Sequence, residues 1–382
     1  MSKSIQGELK RDPAIELVRL IGCLIVIGVH SWFGTSIDYA NDFSRNFISC
    51  LLADGVAIFW VIGGCFMFNN YSYKKTMLRT LKGIVIPMAA FSLLVFFVIA
   101  DMLDGTFTLN GIFHKGDEAV QALKTLLGWQ NPVSYCGHLW YLYVYVFLMI
   151  CSPALYGLSC WLDESSKREI GFLILTLAFF ILNDVTGNEY WQFSHYRING
   201  AFPAAIEMMW GHILYRHKDL FAKRKRWAAC IGIFLLLNVF RAWIQMLRYQ
   251  SGSTNNSILY WYSSIGLICA VSVVVFGLSL IITRKATIVN RSICNLASMT
   301  FTVYLFHKII ISALDTVKFR TRLYAFIGRI VPIGVELLYV AAIILTVAVF
   351  SFAVAGLLRL LKWVVLKSFG MLKGKISGDV KV

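Results

Sequence analysis

Arg19 and His30 stand eleven positions apart in ELVRLIGCLIVIGVH, a run that is otherwise almost wholly apolar. On a helix, eleven residues at about 100° each bring the second side chain about 20° past three full turns. Both therefore project from one face, about 16 Å apart along the axis at roughly 1.5 Å per residue. A guanidinium makes bidentate, charge-assisted contacts with an anion. An imidazole exchanges protons near neutral pH or acts as a nucleophile. Taken singly, each has a bland explanation. Arg19 would snorkel to the interface beside Glu16, and His30 would anchor the opposite interface beside Trp32.

Other ionisable groups also fall in apolar surroundings, where they are costly and commonly mark function. His138 opens HLWYL at 138–142, and Tyr141 and Tyr145 continue its face at helical spacing. This histidine is either a substrate contact or a structural cap. His307 lies in YLFHK at 304–308, and Glu207 sits near the middle of another apolar run. Glu207 would pair with a histidine or arginine across the bundle, or stay neutral as a hydrogen-bonding group. Asp54 reads as the outer start of a span, while His114, His195, His212 and His217 fall in loops or at helix ends. The chain has no GxSxG elbow, P-loop or HExxH. The histidines lack metal-ligand spacing, so no metal is expected.

The elements that carry these residues must lie in a bilayer. Of 382 residues, 58% are hydrophobic and 15% charged, and the mean hydropathy is +0.69. A soluble domain carries about 25% charged residues. Runs at 84–100, 258–283 and 330–358 are nearly free of charge, and about 20 such residues cross a bilayer as a helix. The pattern predicts an all-α, polytopic membrane bundle of about ten transmembrane helices. They lie near 15–33, 50–68, 83–101, 138–158, 169–183, 200–215, 228–246, 258–282, 297–314 and 330–360. The first lacks a small-residue cleavage site and reads as a retained helix.

Ten spans put both termini on one side. Lys and Arg split between the two sides as twenty-four against ten, and the richer side is cytosolic. Both termini are thus expected in the cytosol, with tails at 1–14 and 367–382 flanking a membrane domain at 15–366. In that orientation Arg19 lies low, while His30, His138 and His307 all lie toward the outer half. The net charge of +16 then reflects topology and anionic lipid rather than nucleic acid, including KRKR at 223–226. The nine cysteines are scattered singly and read as small buried side chains. The outer segment 102–136 reads as a partial lid.

The motifs together resemble the acyltransferase-3 family of integral membrane acyltransferases, mostly bacterial enzymes. Arg19 and His30 match its Arg-x10-His motif. GVAIFWVIGGCFMF at 55–68 is similar to its second-helix motif, GVDLFFVLSGFLL. YKKTMLRTLKGIVIP, ending at Pro87, is similar to its basic stretch before a proline, and HLWYL and TVYLFH match its later motifs. Ala57, Gly63 and Tyr145 depart from the pattern. With the short tail after the tenth span, these departures lead to the expectation of a stand-alone member without a fused extracytoplasmic domain.

The resemblance implies acyl transfer, commonly of acetyl, from cytosolic acyl-CoA to a hydroxyl of a surface glycan or lipid-linked precursor at the inner membrane. Acetyl-CoA is then a donor substrate rather than a resident cofactor. Arg19 would meet CoA phosphates, and His30 would act as general base or as transient acyl carrier. His138, Tyr141, His307 and Glu207 would bind the acceptor or support the site. Cys136 is a conceivable acyl carrier and more simply a buried side chain. Two other readings stay open: a transporter or flippase for a lipid-linked sugar, and acyl transfer to a small metabolite. A non-catalytic scaffold fails to explain Arg19 and His30 on one face.

Overall fold

In a computed structural model, the structure describes residues 11–33, 42–108, 115–127, 133–186, 200–221, 226–251, 262–280, 287–331 and 334–378. Among them there are helices and no strands. Helix α1 (Pro13–Trp32) starts where Asp12 accepts the Ala14 N–H at 3.1 Å, with Pro13 supplying a pre-set first turn. Next come α2 (Phe43–Ala53) and α3 (Gly55–Met67), joined at Asp54 into one 25-residue apolar run. Helix α4 (Tyr73–Asp104) contains π turns at Leu81–Val85 and Val95–Ile99. The first directly precedes Pro87, whose ring would otherwise press on the carbonyl one turn back.

A short α5 (Gly116–Leu127) follows, then α6 (Trp140–Ile150) and α7 (Ser152–Asp163), which meet at a 68° bend. Pro153 opens α7 and prevents a continuous helix through the bend. The chain continues through α8 (Ser166–Thr186), α9 (Ala201–Arg216), α10 (Arg226–Gln250) and α11 (Ser264–Ser279). Helices α12 (Ile288–Ala297) and α13 (Thr300–Thr316) form a second bent pair, at 56°. Helices α14 (Phe319–Ile330) and α15 (Val335–Gly378) close the order. Apolar side chains cover the outside of several helices, Ile174, Leu175 and Val185 on α8 among them, as a lipid-facing surface requires.

Every one of the ten predicted stretches carries a helix, but their lengths differ. Six are long and apolar enough to cross a membrane, or eight if each bent pair is one span. Helices α9 and α11 have 16 residues each and fall short. The span expected at 50–68 begins at Phe43 instead, so Asp54 lies inside it rather than at its start. Asp54 is buried and binds Arg241 of α10 through both guanidinium ends, at 2.7 and 3.1 Å. Arg241 is therefore a buried partner, not an outer-side topology charge as the charge count took it. A charge that is neutralised in the interior leaves the hydropathy pattern looking like a boundary. Residues 223–225 of the KRKR cluster, His114 and His195 lie outside the described residues, as do 109–114 and 128–132 of the expected lid. Lys115, at the edge of that segment, binds Asp101 at 2.8 Å and the Phe96 carbonyl at 2.7 Å.

Helix α1 is central and packs against α2, α3, α11, α12, α13 and α15. The closest crossing is between α3 and α9. A Cβ on Gly64 would stand 1.7 Å from the Met208 carbonyl oxygen, and one on Gly211 1.9 Å from that of Val61. Small residues let helix backbones approach in this way. We expect Gly64→Ala to lower stability by about 1–3 kcal/mol or more, through overpacking against rigid backbone. At neighbouring Gly63 the nearest atom to an added Cβ is the flexible Met208 Cε, 3.6 Å away, so Gly63→Ala should be tolerated. Thermal unfolding of both variants in detergent checks the contrast.

Candidate active site

Three helices bring the three histidines together. His30 lies in the last turn of α1, His138 sits in the 3-10 turn Gly137–Leu139 that leads into α6, and His307 is near the middle of α13. Their ring centroids are 5.1 Å (His30–His307), 5.0 Å (His138–His307) and 6.1 Å (His30–His138) apart. The expected agreement in depth is thus joined by lateral contact. His138 and His307 are buried, and His30 is half-buried.

Backbone carbonyls fix two of the rings. His307 Nδ1 lies 2.7 Å from the Tyr304 carbonyl, and His138 Nε2 3.2 Å from that of Leu305. A carbonyl only accepts, so in a neutral ring the bonded nitrogen carries the proton and the other keeps its lone pair. For His307 that other atom is Nε2, which is buried and has no hydrogen-bond partner among the described residues. The cluster thus offers an imidazole lone pair close to His30. Among the described residues, no group of three His, Cys, Asp or Glu is spaced to hold a metal.

Tyr304, one turn before His307, packs its ring 5.5 Å from His138, 5.7 Å from His307 and 5.8 Å from Tyr141. Its hydroxyl donates to the His138 carbonyl. Tyr141 in turn stacks on Trp60 of α3 at 4.2 Å. Phe91 of α4, four residues beyond Pro87, closes over His138 at 6.4 Å.

Below this aromatic layer lies a cavity of about 510 Å³. At the end carrying the chain's N-terminal helix start it is lined by Arg11, Arg19, Lys75 and Arg79. Another part of its wall is formed by Phe59, Tyr141 and Tyr304, whose rings adjoin at Tyr141, and Phe301 lines it as well. None of the three histidines lines it. Arg19 faces this cavity while holding Glu16 through two contacts of 2.9 and 3.1 Å. The pairing anticipated as the bland explanation and a position on the cavity wall therefore occur together.

The remaining expected site residues fall elsewhere. Glu207 of α9 is fully buried, and neither carboxylate oxygen has a hydrogen-bond partner among the described residues. Among the described residues it pairs with no arginine; buried Arg241 is held by Asp54. Cys136 is buried in an apolar cluster with Leu139, Leu142 and Tyr143, as a small core side chain would be. His212, in the C-terminal part of α9, and His217, which caps it, bind Asp163 and Glu169 at 2.9 and 2.8 Å. Sequence reasoning missed Tyr304 as a site neighbour. Tyr304 had a signal, since a residue three before a buried histidine shares its helix face.

The family model described as an acyltransferase domain, that of acyltransferase-3, matches residues 12–357. The chain belongs to the acyltransferase-3 family. No curated protein and no solved structure matches it at a significant level. The match spans α1 to within α15, so the histidine cluster, the cavity and the Asp54–Arg241 pair all lie inside the acyltransferase-3 domain. Membership makes the protein a multi-pass membrane acyltransferase.

Proposed function

We propose that this acyltransferase-3 protein moves an acyl group, best acetyl, from cytosolic acyl-CoA to a hydroxyl of a surface glycan or its lipid-linked precursor. In this reading ten spans cross the cytoplasmic membrane with both termini in the cytosol, as the Lys and Arg bias favours. The observation that carries it is the arrangement of one cavity and one cluster. A cavity with a cationic mouth ends one aromatic layer short of three histidines.

A CoA donor has phosphates at one end and a thioester at the other. Arg19, with Arg11, Lys75 and Arg79 at the mouth, offers the charge that phosphates need. The pantetheine arm would follow the cavity toward Tyr141 and Tyr304. His30 acts as general base on the acceptor hydroxyl, with His307 and His138 orienting the ring and the sugar. The hydroxyl oxygen bonds to the thioester carbon, the C–S bond breaks, and the hydroxyl proton ends on the CoA sulfur. Glu207 serves as a neutral supporting group within the bundle rather than as a reactant.

The assay is acceptor-dependent release of free CoA by purified protein given acetyl-CoA and a glycan extract. A transporter or flippase would move its cargo without consuming acetyl-CoA, so no release under any acceptor defeats this reading. Within it, Arg19→Ala should raise the KM for acetyl-CoA about tenfold or more, the loss expected for a charge-assisted contact of about 1.5–3 kcal/mol. The same KM in wild type and variant would remove Arg19 from the donor site.

A further inference from the structure

The cavity and the histidine cluster are neighbours without being one space. Tyr304 and Tyr141 line the cavity, the histidines do not, and Tyr304 packs against the rings of His138 and His307. Two aromatic rings with centroids 5.8 Å apart are in van der Waals contact, which leaves no open passage between them. Nor does Tyr304 swing freely. Its hydroxyl is tied to the His138 carbonyl in a partly buried hydrogen bond, and breaking it away from water costs free energy. On the cavity side the wall continues with Phe59 and Phe301. Tyr141 is itself pinned by Trp60, which is fully buried.

We propose that Tyr304, backed by Tyr141, is the selectivity wall of the donor cavity: it restricts the transferred acyl group to a short chain and keeps acceptor-side water off the thioester. The inference rests on the acyl-CoA reading above and adds the substrate class. In this closed arrangement a thioester in the cavity stops short of the histidines, and transfer needs Tyr304 to yield just enough for the carbonyl to come past its ring. The acyl carbons lead the donor, so the space at the wall limits their number directly. An acetyl group presents one methyl beyond the carbonyl. A hexanoyl chain presents four more carbons and meets the ring faces of Tyr304 and Tyr141. The same wall separates the thioester from solvent entering beside half-buried His30. Without it, water replaces the acceptor: its oxygen bonds to the thioester carbon, the C–S bond breaks, a proton passes to the CoA sulfur, and a free carboxylic acid is released.

The test compares acetyl-, butyryl- and hexanoyl-CoA on wild type, Tyr304→Ala, Tyr304→Phe and Tyr141→Ala, with thermal unfolding recorded for each in the same detergent. Free CoA is measured with a glycan extract and without it. In Tyr304→Ala, the ratio of kcat/KM for hexanoyl-CoA to that for acetyl-CoA should rise at least about tenfold, the discrimination a few methylenes provide in a shaped pocket. CoA release without acceptor should rise with it. Tyr304→Phe keeps the ring and should keep the wild-type chain-length profile. Tyr141→Ala opens the same wall from α6 and should shift the profile as Tyr304→Ala does, which decides the matter if that variant does not fold. An unchanged profile in the folded alanine variants overturns the proposal, as does a wild type that uses hexanoyl- and acetyl-CoA equally. Neither result touches the acyltransferase reading, which fails instead if wild type releases no CoA from any donor.

Discussion

Alanine at position 30 is expected to cut acceptor-dependent CoA release by about 10²–10⁴-fold, the range for losing a positioned general base. The loss should fall on kcat rather than on donor affinity. His30 does not line the cavity assigned to the donor, so the KM for acetyl-CoA should stay close to wild type, the reverse of the Arg19→Ala pattern. His307 is the natural comparison. Its Nδ1 is committed to the Tyr304 carbonyl while Nε2 has no hydrogen-bond partner among the described residues, which suits a group that orients or shares the proton of His30, whose ring centre is 5.1 Å away. Release by a folded His30→Ala protein at the wild-type rate would move the base elsewhere in the cluster.

The largest effect on stability is expected at Asp54. Its carboxylate and the Arg241 guanidinium are both buried, with two short contacts between them and a third from Arg241 to Ser263 at 3.3 Å. Asp54→Ala leaves a guanidinium without its counter-charge in an apolar bundle, a change that costs about 3–5 kcal/mol. Replacing both partners by apolar residues of similar volume, as in Asp54→Leu with Arg241→Met, should recover most of that loss. Unfolding midpoints of the single and double variants in one detergent provide the measurement. A single variant as stable as wild type would show that the pair contributes nothing.

What the sequence made legible was the placement of helices and the shared depth of the three histidines. The face shared by Arg19 and His30, and the histidines at 138 and 307, could be aligned in depth because helix periodicity and chain direction are regular. Lateral contact was a different matter. That α1, α6 and α13 adjoin depends on packing around α1, which no local spacing encodes. Charged residues misled in a consistent way. Asp54 looked like a span boundary and Arg241 like a loop charge, because hydropathy scores each residue without its partner. The short helix α9 had a related difficulty: Glu207 and His212 dilute its apolar run, and close approach at Gly64 and Gly211 leaves no trace in hydropathy. Tyr304 went unassigned since a tyrosine beside a histidine motif reads equally well as an interface anchor.

The Asp54–Arg241 pair also constrains how the protein is made. The two residues are 187 positions apart in the chain, and synthesis proceeds at about 5–20 residues per second. Asp54 therefore leaves the ribosome about 10–40 s before its partner. An arginine at the centre of an isolated span costs about 2.5–3.5 kcal/mol on entering the bilayer, so α10 enters most readily beside an acid already in place. For that interval the nascent α2–α3 segment has to keep its carboxylate reachable, either protonated or facing water. Membrane insertion and tertiary assembly of this acyltransferase are then one coupled event, with a vacancy held open in the first third of the chain for a residue in the second.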